Sequence, residues 1–374
     1  MFGLTARVWR KFTFSGVTVR HLQSIMIVCL RGQKQSPMGE NGAENMSKTV
    51  RCLLIILLAL MLLALPLILP SGNMLTDYQY EWMDMGLFPL FSARAEEEVV
   101  ALPYDLSGGM TPNPAAYTED GYEDASIKVA MEHYEDEKQG FSVRVAYIDV
   151  ASPTQLRTGV AGRNALDLRI NTVVFMANRY NAVLAVSGDY YTNDPESTPF
   201  EYRMGTKARR NFNVVRDLLI IDENGDFHIV LSSGSAAQKK EISEIEAEHR
   251  IINAFSFGPA LVKDGEELQT SYKIYSAHAQ DPRVAIGQRG PCSYVVVVCE
   301  GRGRKAKGMT HQQLAHFMYE DLGCVQAYNL DGGNTGTMVF GKSVYKADLA
   351  TSQLRVLNDC IYFATTVDPE SWSK

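Results

Sequence analysis

Asn329-Leu330-Asp331-Gly332-Gly333-Asn334-Thr335-Gly336-Thr337-Met338 is the stretch on which the reading of this 374-residue chain turns. A strand signal over Cys324–Leu330 runs into an acid, three glycines and small hydroxyls, and a second strand signal follows at Thr337–Phe340. Glycines accept positive φ and let main-chain N–H groups come close to a ligand. Such a loop cradles an anion, with Asp331 at its lip. The same spacing equally fits a hairpin turn in which Asp331 bonds its own backbone.

Ser187-Gly188-Asp189-Tyr190-Tyr191 repeats the design. The apolar run Val183–Val186 delivers a glycine, a carboxylate and two aromatics. Tyrosines beside a carboxylate suit a sugar, since rings stack on pyranose faces while hydroxyls bond. Packed tyrosines at a strand end are the bland alternative. Tyr294–Val298, a continuous β-branched run, reads as a central strand ending at Glu300-Gly301-Arg302. Pro282-Arg283-Val284-Ala285-Ile286-Gly287 puts an arginine at the start of another. A guanidinium suits phosphate through two parallel hydrogen bonds, although a lone arginine is more often a surface ion pair.

Around these segments the pattern is mostly strand. Ile127, Val129 and Met131 alternate with polar residues, as do Val143, Val145 and Tyr147. Leu218–Ile221 and Phe227–Leu231 flank Asn224-Gly225, a hairpin signal that outweighs a calcium loop because the ligand spacing is absent. Asn171–Asn181, Glu241–Ala254 and Thr310–Leu322 read as helices, the last with a capping box from Thr310 and Gln313. Val356–Ala364 reads as a further strand. The fold class is α+β, a single mixed-sheet domain with flanking helices over 125–368, followed by a tail at 369–374.

Charge divides the chain. Residues 1–52 carry eight basic and two acidic residues, and the remaining 28 basic and 41 acidic residues leave the body at −13. An acidic body argues against nucleic acid as a partner. Leu53–Leu69 is uncharged behind Lys48 and Arg51, the pattern of a transmembrane or signal-anchor helix with the body outside the cytoplasm. Cleavage at Ala93-Arg94-Ala95 would release the body, but that site lies 24 residues past Leu69, so an uncleaved anchor is the expectation. Met46 opens a compact basic segment, which makes residues 1–45 an over-extended start. Residues 70–124, with five prolines and no periodicity, read as a linker or stalk. Cys292, Cys299, Cys324 and Cys360 could pair in three ways.

Several chemistries are excluded by their missing motifs. There is no nucleophile elbow, no His-Glu-x-x-His, no dinucleotide fingerprint and no phosphate-binding P-loop. No cofactor is expected, and the acids leave a divalent metal open.

Taken together, the blocks Ser187–Tyr191, Phe255–Val262, Pro282–Gly287, Val295–Arg302, Gly308–Leu322 and Asn329–Thr335 resemble, in order, those of the phosphodiester glycosidase family. Three positions depart from that family's usual pattern: Ser187 stands for asparagine, Glu300 for aspartate, and Asn334 for glycine. The resemblance implies hydrolysis of a sugar-1-phosphodiester, with a glycosyl-phosphate or envelope polysaccharide as substrate. Transfer of a glycosyl phosphate, or glycan binding without turnover, are the alternatives. A phosphate monoester leaves as a stable anion, so such a site needs cations more than acid help. Arg283 and Arg302 are the expected phosphate ligands, assisted by the amides of Gly332 and Gly333. Asp331, then Asp189, then Glu300 are the expected catalytic carboxylates. Asn334, Thr335, Ser187, Gly188, Tyr190 and Tyr191 complete the expected substrate contacts.

Overall fold

Val295, Val297 and Cys299 face one apolar cluster while Tyr294, Val296 and Val298 face another, so the valine strand is buried on both sides. That two-residue alternation sets the architecture. The computed structural model describes residues 99–190, 199–211, 216–270 and 277–373. Within them Ser293–Glu300 is the fourth strand of an eight-stranded sheet. The order is Gly121–Glu123, Ile127–Asp136, Phe141–Val150, Ser293–Glu300, Arg283–Gly290, Gln326–Leu330, Ala260–Lys263 and Glu266–Glu267.

One face of this sheet is covered by α3 (His311–His316), through Leu314 and Ala315, and by Phe317 and Met318 beyond it. Two five-stranded sheets cover the other face. The first, here the arginine sheet, runs Thr206–Arg210, Phe200–Arg203, Ile251–Phe255, Leu218–Asp222, Phe227–Val230. The second, the tyrosine-corner sheet, runs Ser343–Lys346, Thr337–Phe340, Ala182–Ser187, Asp359–Ala364, Leu156–Val160. Each is capped on its far side by a helix. α1 (Val173–Arg179) packs Val173, Met176 and Ala177 onto Ala185, Tyr362 and Ala364. α2 (Ser235–Glu248) packs Ile242 and Ile245 onto Phe200, Leu218 and Val230.

The α+β domain rich in strands is present, with its strands divided among three sheets. All strand ladders among the described residues are antiparallel, those joined by short turns and those between strands distant in sequence alike. The expected strands at 294–298, 337–340 and around Asn224-Gly225 are in place, the last with Gly225 at φ 77°. The Thr310–Gln313 capping box closes α3 with both of its hydrogen bonds.

Several boundaries move. Glu241–Ala254 is not one helix: α2 begins at Ser235 and ends at Glu248, and Ile251–Phe255 is a fully buried strand. The helix expected to reach Leu322 widens after His316 into a π-turn, Phe317–Asp321. The linker expected over 70–124 ends sooner. The Leu102 N–H donates to Thr154, Met110 bridges to Thr365, and Gly121–Glu123 pairs with Lys128–Ala130. Asn329–Met338 is not a hairpin, since its two strands belong to different sheets. The four described cysteines are all unbridged thiols, three of them buried. The expected basic segment, the 53–69 anchor, residues 70–98 of the linker, and Tyr191 lie outside the described residues. Among the described residues no helix is long and apolar enough to cross a membrane.

Candidate active site

One strand end from each sheet arrives at the same place. Ala182–Ser187 ends at the Gly188-Asp189 corner, Gln326–Leu330 ends at Asp331, and Phe200–Arg203 ends at its arginine. The corner and the glycine loop are hydrogen-bonded to each other. The Asp331 N–H donates to the Gly188 carbonyl at 3.3 Å, and the Ser187 hydroxyl donates to the Asp331 carbonyl at 3.2 Å. Glycine is required at 188, because a Cβ there would sit 2.0 Å from Asp359 Oδ1. That carboxylate oxygen accepts the Asp189 N–H at 2.9 Å.

Beneath the corner lies a buried cluster that the sequence did not reveal. The Arg203 guanidinium, fully buried, donates to Asp359 Oδ2 from Nε at 3.0 Å and from Nη2 at 2.6 Å. Nη2 also reaches Asp189 Oδ2 at 3.4 Å and lies 3.6 Å from Glu201. Nη1 bonds the carbonyls of Tyr202, at 2.9 Å, and Ala254. Burial opposes the charge on Arg203, but Asp359, Glu201 and Asp189 outweigh it and hold its pKa above the usual value. Arg209 adds a second cation 3.5 Å from Glu201.

Three acids facing one fully buried arginine leave a local excess of negative charge, so a proton is favoured among them. Asp189 is the group best placed to hold it. Burial pushes its carboxyl up to about 7, Arg203 pulls it down less, and Asp359 adds to the rise. Its Oδ2 accepts the Ser256 N–H at 2.9 Å, while its buried Oδ1 has no hydrogen-bond partner. Burial also raises Glu201. Asp189 is 1% exposed and Asp331 7%, so of the two Asp331 is the one a substrate can reach.

The rim is aromatic and cationic. Tyr190 packs against Phe257 with ring centroids 4.5 Å apart, and the Arg216 guanidinium stands 5.2 Å from the Tyr190 ring. Burial raises the Tyr190 phenol to about 12; Arg216 opposes this, and Asp189 and Asp331 both add to it. Among the described residues Arg216 makes no side-chain hydrogen bond or ion pair, and its buried Nε has no partner. A narrow cleft bordered by Tyr190, Glu201, Arg209, Asn358 and Asp359 opens beside the cluster.

Of the residues expected from sequence, the structure joins Ser187, Gly188, Asp189, Tyr190 and Asp331 here. Gly332 packs against the main chain of Pro282 and Arg283, and the Thr335 N–H closes the loop onto the Gly332 carbonyl at 3.0 Å. Arg283 points elsewhere than expected. Its Nε and Nη2 donate to the carbonyls of Met309 and Ala279, at 2.9 and 3.0 Å. Arg302 reaches Asn334 beside Gly333 but is engaged by Asp281 and Asp348, each at 2.9 Å. Glu300 does not join the site. Its carboxylate accepts the Ser142 hydroxyl at 2.8 Å, and it ends a strand two removed from Leu330, roughly 10 Å across the sheet.

Residues 180–364 match the sequence profile of the phosphodiester glycosidases. They are a phosphodiester glycosidase family domain. A curated relative, the SPbeta prophage-derived uncharacterized protein YomE of Bacillus subtilis (strain 168), is 26% identical over 179 residues. That match covers 46% of this chain and 27% of the relative, so the chain spans about a quarter of that protein's length. Among solved structures the chain is similar to the zebrafish N-acetylglucosamine-1-phosphodiester alpha-N-acetylglucosaminidase catalytic domain auto-inhibited by pro-peptide. The TM-score there is 0.49 at 15% identity, over 68% of this chain and 86% of that one. A hypothetical protein from Synechocystis aligns with TM-score 0.42 at 12% identity, over 63% of this chain and 62% of its own. The glycosidase profile spans the Ser187 corner, the Arg203 cluster, the Asp331 loop and Asp359, while one wall of the cleft, Val160, Ala165, Asp167 and Leu168, lies before it.

Proposed function

We propose that this phosphodiester glycosidase domain hydrolyses a sugar-1-phosphodiester at the cleft beside Tyr190. The observation that carries the reading is the pair of hydrogen bonds locking Asp331 onto the Ser187-Gly188 corner, above a buried acid–arginine cluster.

In this reading the Asp331 carboxylate takes a proton from water as the water oxygen bonds to the anomeric carbon. The bond from that carbon to the phosphate oxygen breaks, and its electron pair leaves with the phosphate monoester. The leaving group is already an anion, so the site's main task is to hold negative charge rather than to donate a proton. Arg216 is the cation for that task, since Arg283 and Arg302 are committed to main-chain carbonyls and to Asp281 and Asp348. Tyr190 offers the ring on which a pyranose stacks. Asp189 is a positioning residue: it ties the corner to Arg203 and to the Ser256 N–H.

The substrate class in this proposal is an envelope or exopolysaccharide glycosyl phosphate, handled outside the cytoplasm. Support for that placement is the apolar run 53–69 behind a basic flank. Protease accessibility on intact cells tests it. For the reaction, the assay is release of free sugar and phosphate monoester from a sugar-1-phosphodiester. Asp331→Asn should lower turnover by at least about 100-fold if Asp331 serves as the base. Unchanged turnover would remove it from that role. Product appearing only when an acceptor glycan is present would instead make the domain a transferase.

A further inference from the structure

A second constellation of ligand-type side chains lies at the far edge of the arginine sheet, independent of the glycosidase reading. Asp222 ends the strand Leu218–Asp222, His228 lies in Phe227–Val230, and His249 caps the C-terminus of α2. Strand register brings them together. Ile221 pairs with Phe227 and Asp222 pairs with Ile251, so one histidine approaches from each side of the Asp222 carboxylate.

His228 Nε2 lies 3.0 Å and His249 Nδ1 3.1 Å from the same oxygen, Asp222 Oδ2, and all three atoms fall within 4.8 Å of one another. For a tetrahedral zinc with bonds near 2.0–2.2 Å, neighbouring ligand atoms are about 3.4 Å apart. The two oxygen–nitrogen separations therefore need to open by only a few tenths of an ångström to hold a metal, and the two nitrogens already lie within 4.8 Å of each other. The carboxylate is also held in place from behind. Its other oxygen, Oδ1, accepts the main-chain N–H groups of Asn224 at 2.8 Å and Asp226 at 3.0 Å. Such outer bonds orient a ligand and leave the free oxygen for the ion. Entry is open, because the Asp222 side chain is fully buried while those of His228 and His249 are 26% and 30% exposed. Both histidines line a cleft of about 240 Å³ that also carries Glu241, Glu244, Glu248 and Asp264 against the single cation Lys263, a lining whose net charge favours a cation.

We infer that Asp222, His228 and His249 form a zinc site, with its remaining coordination position open to this cleft. Two imidazoles and one carboxylate form a nitrogen–oxygen donor set suited to zinc, and neither thiolate nor redox chemistry is needed. The ion would tie the C-terminal end of α2 to the Asp222–Asp226 hairpin. The competing arrangement is metal-free, with each histidine donating a hydrogen to Oδ2.

The test uses the full-length chain, stripped with chelator and titrated with Zn²⁺, then separately with Co²⁺. The site predicts one equivalent of tightly bound zinc, a higher melting temperature with zinc, and a visible tetrahedral cobalt spectrum. Changing an outer-shell partner costs about 10–100-fold in metal affinity, so loss of a ligand in His228→Gln or His249→Gln should exceed about 100-fold. His316→Gln, on α3, should bind as wild type does. The two ligand variants change side chains that are 26% and 30% exposed and each loses a contact to Asp222, so the zinc-dependent rise is read for each variant against its own stripped form. No zinc-dependent rise in melting temperature and no cobalt band in wild type would overturn the assignment. So would zinc binding left undiminished in both ligand variants.

Discussion

Arg203→Lys should unfold the domain early even though it conserves charge. The fully buried guanidinium makes five hydrogen bonds: two to Asp359, one to Asp189 and two to main-chain carbonyls. A lysine ammonium has three donors on a flexible stem, so at least two of those bonds are lost. Hydrogen bonds involving a charged group contribute about 1.5–3 kcal/mol each, which puts the loss at about 3–6 kcal/mol. For a large domain each kcal/mol lowers the melting temperature by about 2 °C, so the shift should be at least about 6 °C. Circular dichroism melts at neutral pH read it directly. Lys128→Met is the control. Its ion pair with Glu123, at 3.5 Å, is about 60% exposed on both sides. Such a pair contributes at most about 1 kcal/mol, a shift under about 2 °C. An Arg203→Lys protein that melts with wild type would refute the claim that this arginine holds the ends of the arginine and tyrosine-corner sheets together.

Asp189 carries a pH signature. Its folded-state pKa is raised, so the native chain keeps a proton that the unfolded chain releases near 3.8. Stability should therefore be greatest below that value and fall as pH rises toward about 7, by up to about 1.4 kcal/mol per pH unit. Asp189→Asn should flatten that fall in urea titrations, and an unaltered slope would assign the proton elsewhere. Ser187→Ala removes the bond to the Asp331 carbonyl and should cost about 1 kcal/mol in the same titrations, with turnover reduced; wild-type stability would show that the bond contributes nothing. Gly188→Ala forces a Cβ into Asp359 Oδ1 and should abolish turnover; a fully active variant would mean that the corner tolerates displacement. Arg216→Ala should raise KM for the phosphodiester while leaving inhibition by the free sugar unchanged; equal losses for both would deny it a phosphate role.

What could be read from sequence was local. Thr310 and Gln313 lie three residues apart, and Asn224-Gly225 is a two-residue signal, so both could be placed without tertiary knowledge. The valine run 294–298 reads as a central strand because burial on both faces leaves no polar alternation. α2 was misplaced because its N-cap is Gly234, with no side-chain cap, and it buries only Gln238 and Ile242 fully. Residues 102–120 lack periodicity because they dock through isolated contacts, such as the Leu102 N–H on Thr154 and the Met110–Thr365 bridge.

The site divides the same way. Ser187–Tyr190 and Asp331 announced themselves by glycines beside acids. Arg203 and Asp359 sit in ordinary strands 156 positions apart, and nothing local marks them as partners. Arg283 and Arg302 read as phosphate ligands because an arginine at a strand end carries no sign of what it already bonds. Only coordinates show one clamped on carbonyls and the other between two aspartates.

Hydrolysis of a sugar-1-phosphodiester in water enriched in heavy oxygen asks which bond the cleft breaks. Attack at the anomeric carbon, as the Asp331–Arg216–Tyr190 arrangement requires, places the heavy oxygen in the released sugar and none in the phosphate. Heavy oxygen in the phosphate monoester would mean attack at phosphorus and would contradict the account.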